Sequence, residues 1–169
     1  MTKQKLKKFM QCETIRGVPI FINEGWVSNG KYALKEDFID EEQLVIFKHK
    51  IEKSGAAMPN LLRAIPDISE YKCLRISDII IDLQDYAFRL CFYGENERTY
   101  INDQTYRFFA KSFSDLPGVE IFALDIASPV VFIQKGDECR YEDCKKLGVI
   151  MPLRGKGAEE LLESYGFIS

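Results

Sequence analysis

Apolar residues recur at three- and four-residue intervals in three parts of the chain, and alternate or run together through most of the rest. Leu6, Phe9 and Met10 share one side of a helix predicted from about Lys3 to Gln11, capped by Thr2, with Lys5, Lys7 and Lys8 projecting elsewhere. Tyr106, Phe109, Ala110 and Phe113 form the stripe of a second helix, from about Asp103 to Phe113. Asn102 is its expected cap and Leu116-Pro117-Gly118 its stop, while Arg107 and Lys111 sit one turn apart on another face. A short third helix is predicted over Gly157 to Tyr165, closed by Gly166.

Strand patterns fill the intervals: Val18 to Ile22, Trp26 to Leu34 (interrupted by the turn signal Asn29-Gly30), Leu44 to Phe47, Leu74 to Leu83, Tyr86 to Tyr93 and Arg98 to Ile101. Val119 to Leu124, Pro129 to Gln134 and Gly148 to Leu153 follow the second helix. The pattern breaks over residues 48–72, a polar stretch continued by Pro59 and Pro66. The chain therefore reads as a compact unit over 1–154, made of two half-domains (about 1–50 and 72–154) joined by a linker at 51–71, with a helical tail at 155–169. A helix followed by three strands occurs twice, a repeat of organisation and not of sequence. The fold class is α+β.

Composition narrows the function. With 169 residues, 46 % of them hydrophobic, and 12 Phe and 8 Tyr, the chain has the apolar content of a folded domain. A net charge of -3 excludes an overall positive coat but permits a local basic face. The five cysteines (Cys12, Cys73, Cys91, Cys139 and Cys144) are odd in number and form no CxxC, which fits a reducing compartment. Cys91 lies in an apolar run and is expected inside; Cys139 and Cys144 fall in a loop with eight charged residues between Lys135 and Lys146. His49 is the only histidine, so no metal site is expected. No apolar run reaches the ~18 residues of a membrane span, and no signal core follows the basic N-terminus. The expected location is the cytoplasm, with no membrane partner.

Catalytic constellations are not expected either. A serine or cysteine nucleophile needs a base, and His49 stands alone in a polar stretch. Arg154-Gly155-Lys156-Gly157 lacks the Gly-Lys-Ser/Thr ending of a phosphate loop and reads as a joint to the tail. Asp78, Asp82, Asp85, Asp125 and Asp137 suit solvated strand and turn positions better than a metal-dependent nuclease centre. Neither a catalytic residue nor a cofactor is assigned, and the chain is expected to act by binding.

One order of motifs is more specific. Tyr100-Ile101-Asn102 leads into the aromatic helix Tyr106 to Phe113. A strand pair follows, Val119 to Asp125 and Ser128-Pro129-Val130-Val131, and the region closes on Val149-Ile150-Met151-Pro152-Leu153-Arg154. From Arg98 to Arg154 this resembles the last part of the bacterial DNA polymerase III beta subunit, the sliding clamp, with its Ser-Pro and its closing Met-Pro-Leu-Arg. Trp26 to Ala33 is similar, through Gly30, to that family's strand–Thr-Asp-Gly-His-Arg–strand element. Pro59-Asn60 and Ile65-Pro66-Asp67 resemble its inter-domain stretch. The chain is much shorter than a three-domain clamp subunit and looks like a compressed relative of the kind a phage or mobile element carries.

The resemblance implies a processivity-clamp (DNA clamp) fold: two helices packed on curved, mostly antiparallel sheets. It implies a DNA-replication accessory protein whose Lys5, Lys7, Lys8, Arg107 and Lys111 meet the phosphates of double-stranded DNA without reading sequence. It also implies a groove, made of Gly30, Tyr32, Val149, Met151, Pro152 and Leu153, that captures clamp-motif peptides of replication proteins; methionine's flexible thioether suits varied ligands. So short a chain could close a ring only as a homo-oligomer. Plainer alternatives stand beside each of these. Basic residues solvate any amphipathic helix, and the groove residues also suit a core strand and a turn. A clamp fold without a ring would serve as an interaction protein or decoy that binds host replication or defence proteins. The tail, with Leu161, Leu162, Tyr165 and Phe167, is expected to pack on the body, over the groove.

Overall fold

The computed structural model describes residues 21–54, 65–83, 86–94, 97–136, 144–153 and 156–166. The first predicted helix, with Lys5, Lys7 and Lys8, lies outside the described residues, as do Cys12, Pro59-Asn60, Cys139 and Phe167.

The described residues form an α+β fold. Its strands are β1 (Phe21–Asn23), β2 (Trp26–Ser28), β3 (Tyr32–Lys35), β4 (Lys72–Leu83), β5 (Tyr86–Tyr93), β6 (Glu97–Asn102), β7 (Val119–Ala123), β8 (Val130–Gln134) and β9 (Lys145–Ile150). They join in one sheet of order β1-β2-β3-β9-β8-β7-β4-β5-β6, and every pairing is antiparallel. The helices are α1 (Glu41–Ser54), α2 (Asp103–Ser112) and α3 (Lys156–Ser164). The sheet runs without a break through both predicted halves of the chain, because β3 pairs with β9.

β8 and β9 are buried on both faces. Val130 and Phe132 turn toward the cluster that holds α1 and α2, through Phe47, Phe109 and Phe113. Val131 and Ile133 turn the other way, toward Trp26, Ala33, Phe122 and Val149. Ile68 covers that second face, with Ile65 and Tyr71 packed beside it. Residues 65–71, expected as part of a linker, are thus the lid of a core layer. Cys144, expected in a charged loop, is buried in the same layer. Cys91 is inside, as its apolar surroundings suggested, and burial pushes its thiol pKa up to about 12.

Leu44 to Phe47, expected as a strand, belongs to α1. The Leu44 N–H donates to the Asp40 carbonyl at 2.9 Å, and Glu41 and Glu42 stand in the first turn, where the helix dipole favours negative charge. Only Leu44 and Phe47 of the four-residue run face the core; Val45 is 62 % exposed and Ile46 43 %. That three-residue spacing belongs to a helix face, not to a strand.

α2 starts where predicted, with the Asn102 side chain accepting the Thr105 N–H at 2.9 Å. Phe109 and Phe113 are buried and Tyr106 half-buried, but Ala110, assigned to the same stripe, is exposed. Phe109 lies edge-on to Phe132, with ring centroids 5.2 Å apart. It also lies directly over Gly148 of β9, where an added Cβ would come within 2.5 Å of its ring.

The sheet curls around this helix. β6 stands at one end of the strand order, yet the Leu153 N–H, just past β9, donates to the Tyr100 carbonyl of β6 at 2.8 Å. On the outside of the curl, α3 seats Leu162 among Ile81, Phe88, Leu90 and Tyr100. The helix ends at Gly166, whose φ of 72° is left-handed and favours glycine.

Because Phe109 is locked among Tyr32, Phe113 and Phe132, it cannot yield to a methyl group at position 148. Gly148→Ala is expected to lower stability by about 1–3 kcal/mol. Trimming the ring as well, in Gly148→Ala/Phe109→Leu, should recover part of that loss. Urea unfolding of both variants checks it; equal stability of Gly148→Ala and the parent would contradict the contact.

Candidate functional site

The turn between β2 and β3 is built by its own polar side chains. Asn29 is buried, and its Oδ1 accepts the N–H groups of Lys31 at 3.0 Å and Tyr32 at 3.2 Å. The Ser28 hydroxyl donates to the Tyr32 carbonyl at 2.8 Å and accepts from the Gly30 N–H at 3.1 Å. Gly30 has φ 82°, a value that side-chain-bearing residues rarely adopt. The Asn-Gly signal in the sequence is thus a fixed turn.

That turn meets the Met-Pro segment. Tyr32 pairs with Ile150 and Ala33 with Val149, and the Met151 N–H donates to the Lys31 carbonyl at 2.9 Å. Gly30, Tyr32, Val149 and Met151 therefore share one end of the β3–β9 pair, although they come from opposite ends of the sequence. Their side chains do not share one wall. Tyr32 points into the α2 side of the core, edge-on to Phe109 at 5.6 Å. Val149 points into the opposite layer, with Trp26 and Val131. Met151 is 40 % exposed. β9 ends at Ile150, so Met151, Pro152 and Leu153 form an extended segment beyond the strand that was expected to contain them. Leu153 leaves the junction and packs against the Tyr100 and Leu162 cluster. α3 lies there too, against the outer face of β4 to β6, and not on the Gly30 turn.

The basic pair on α2 faces outward. Arg107 and Lys111 are both exposed. Arg107 Nε lies 2.7 Å from Asp103 Oδ2, with 63 % of its side chain in solvent. The other Asp103 oxygen binds a residue that the sequence reading missed, Arg89 of β5, at 2.6 Å, with both side chains inside. The Arg89 guanidinium also donates to the Ser77 carbonyl at 2.8 Å and lies 4.9 Å from the centre of the Tyr106 ring. An arginine between Phe88 and Leu90 in an otherwise apolar strand was the available signal, because such a charge needs a partner.

The Ser-Pro turn between β7 and β8 is pinned by Asp125. One carboxylate oxygen accepts from the N–H groups of Ala127 at 2.8 Å and Ser128 at 2.7 Å, and from the Ser128 hydroxyl at 2.7 Å. The Ser128 hydroxyl, then the Ala127 amide, hold this carboxyl below the usual carboxylate range.

Among the described residues, no group of three or more His, Cys, Asp or Glu is arranged to hold a metal ion. No helix among them is long and apolar enough to cross a membrane. Comparison with protein-family models, with curated proteins and with solved structures gave no match.

Two predictions follow from these side chains. Asp103→Ala strands the Arg89 charge in the interior and is expected to cost about 3–5 kcal/mol, whereas Arg107→Ala removes an exposed pair worth less than about 1 kcal/mol. Chemical denaturation ranks the two, and the reverse order would show that Arg107 is the anchor. The Asp125 carboxyl should titrate below the usual range by carbon NMR, and Ser128→Ala should move its midpoint upward. Since the native pKa is the lower one, this turn's contribution to stability is full above the unfolded-state pKa. It fades as pH falls through the native value.

Proposed function

We propose that this protein is a clamp-type accessory protein of DNA replication that works by binding, without catalysis of its own. In this reading, the junction of the Gly30 turn with the Met151-Pro152 segment captures short apolar peptides of replication proteins. The observation that carries the reading is the pairing of β3 with β9. It joins the two elements that separately resemble the groove-forming parts of the sliding clamp, and it leaves Met151 at the surface beside them. The curled antiparallel sheet with α1 and α2 on one face is compatible with a processivity-clamp fold. Met151 and Pro152 would make the contact, while Gly30, Tyr32 and Val149 fix the backbone beneath them.

One observation favours the narrower version, an interaction protein without a DNA-encircling ring. α1 carries Lys48, Lys50 and Lys53 against Glu41, Glu42 and Glu52, and α2 carries Arg107 and Lys111 against Asp103. The two helices are close to neutral, a weak field for holding a phosphate backbone. The ring version needs Lys5, Lys7 and Lys8 to supply the rest, together with self-assembly.

A fluorescent peptide carrying the clamp-binding motif of a replicative polymerase tests the groove. It should bind the full chain, and Met151→Lys should weaken binding about tenfold or more, by the loss of one buried apolar contact and the burial of a charge. Binding that ignores position 151 would remove the groove from consideration. Retention on circular but not on linear DNA separates the ring from the ring-free protein, whose purely electrostatic binding is screened by salt on either form.

A further inference from the structure

Helix α3 is lightly held. Leu162 is the only buried side chain among those described in it. The tie at its first turn, Arg98 to Glu159, is long at 3.8 Å and partly exposed. Beside Leu162, the buried Tyr100 hydroxyl has no well-aligned hydrogen-bond partner. A cavity of about 400 Å³ also remains between the helix and β4. Ile79 and Ile81 line it from the strand, and Leu161, Leu162 and Tyr165 from the helix. Tyr165 is 71 % exposed, so the cavity is open toward the C-terminal end of α3.

The way α3 stops selects an occupant for that cavity. Gly166 has φ 72°, and its N–H donates to the Glu163 carbonyl at 3.0 Å. A left-handed glycine bonded in this way turns the chain back across the last helical turn, and the residue after it commonly packs on the apolar side chains there. Those side chains are Leu161 and Leu162, the helix wall of the cavity, and the residue after the glycine is Phe167. We propose that Phe167 folds back into the cavity and latches α3 to the sheet. An aromatic ring there covers Ile79 and Ile81, which otherwise leave apolar surface in water.

A separate molecule would have to outcompete a ring tethered one residue from the cavity's own wall. The latch also reaches the segment past β9. Leu153 packs against the cluster that holds Leu162, and its N–H donates to the Tyr100 carbonyl at 2.8 Å. With the latch open, α3 loses its hold and Leu153 its cover. The tail thus governs how firmly Met151 and Pro152 are placed, whatever that segment binds.

The test uses the full chain with isoleucine methyl groups labelled for NMR. Nuclear Overhauser contacts should join the Phe167 ring to the methyls of Ile79 and Ile81. Phe167→Ala should speed hydrogen exchange of the Tyr165 and Leu153 amides about tenfold or more, the loss of one buried aromatic contact, and leave the amides of β8 unchanged. Phe167→Leu should speed it less. Absence of the ring-to-methyl contacts overturns the proposal. So does their appearance only between differently labelled chains in a mixed sample, because the ring would then come from a second copy. Unchanged exchange at Tyr165 removes the latch, and a rise there without one at Leu153 removes its reach to the segment past β9. An equal rise in β8 would make Phe167 an ordinary part of the core and not a latch.

Discussion

Phe109 can lie on the sheet only because position 148 of β9 has no side chain. The ring fills the space a Cβ would occupy and meets Phe132 on one side and Phe113 on the other. This contact sets how close α2 comes to the strands, and so how tightly the sheet must curl to cover the helix. The other end of α2 is fixed by different chemistry. Asn102 caps it, and Asp103 ties its first turn to Arg89 of β5. A close apolar contact at one end and a buried ion pair at the other leave the helix little freedom to slide or turn. The arrangement of β3, β9 and the Met151 segment rests on that central strand being held in place.

The sheet has two covered faces, and their covers differ. Helices α1 and α2 shield one face with aromatic side chains, among them Phe47, Phe109 and Phe113. The other face is shielded by Ile65, Ile68 and Tyr71 and by the neighbouring strands. Around the far side of the curl, α3 covers β4 to β6. Exposed apolar side chains remain at a few places, among them Met151 past β9 and Ile80 on β4.

Helix α2 was legible in the sequence because cap, stripe and stop agree with one another. Leu44 to Phe47 was not, since four apolar residues in a row fit a buried strand or one turn of helix equally well. The deciding features were the acidic first turn and Asp40, whose carbonyl accepts the first hydrogen bond. Residues 65–71 read as a linker because Pro66 and polar residues separate Ile65, Ile68 and Tyr71. Yet the unbroken apolar run of Val130 to Ile133 already required a cover on both faces of β8. For the candidate junction, periodicity could not bring Gly30 next to Met151; register between distant strands is not a local property. A resemblance of the two motifs to sliding-clamp elements was the only ground for expecting them together. It did not foresee that Tyr32 and Val149 would point into opposite layers, which follows from the alternation of a strand buried on both sides.

The pairing of β3 with β9 also fixes when the protein can finish folding during synthesis. β3, which ends at Lys35, is made well before its partner, which begins only at Lys145. Until then Val27, Leu34 and Phe47 lack the strand that completes their layer. Contacts this distant in sequence make for slow folding and a long exposure of sticky intermediates. The order of synthesis therefore leaves this half of the sheet open until the strand that closes it has been made.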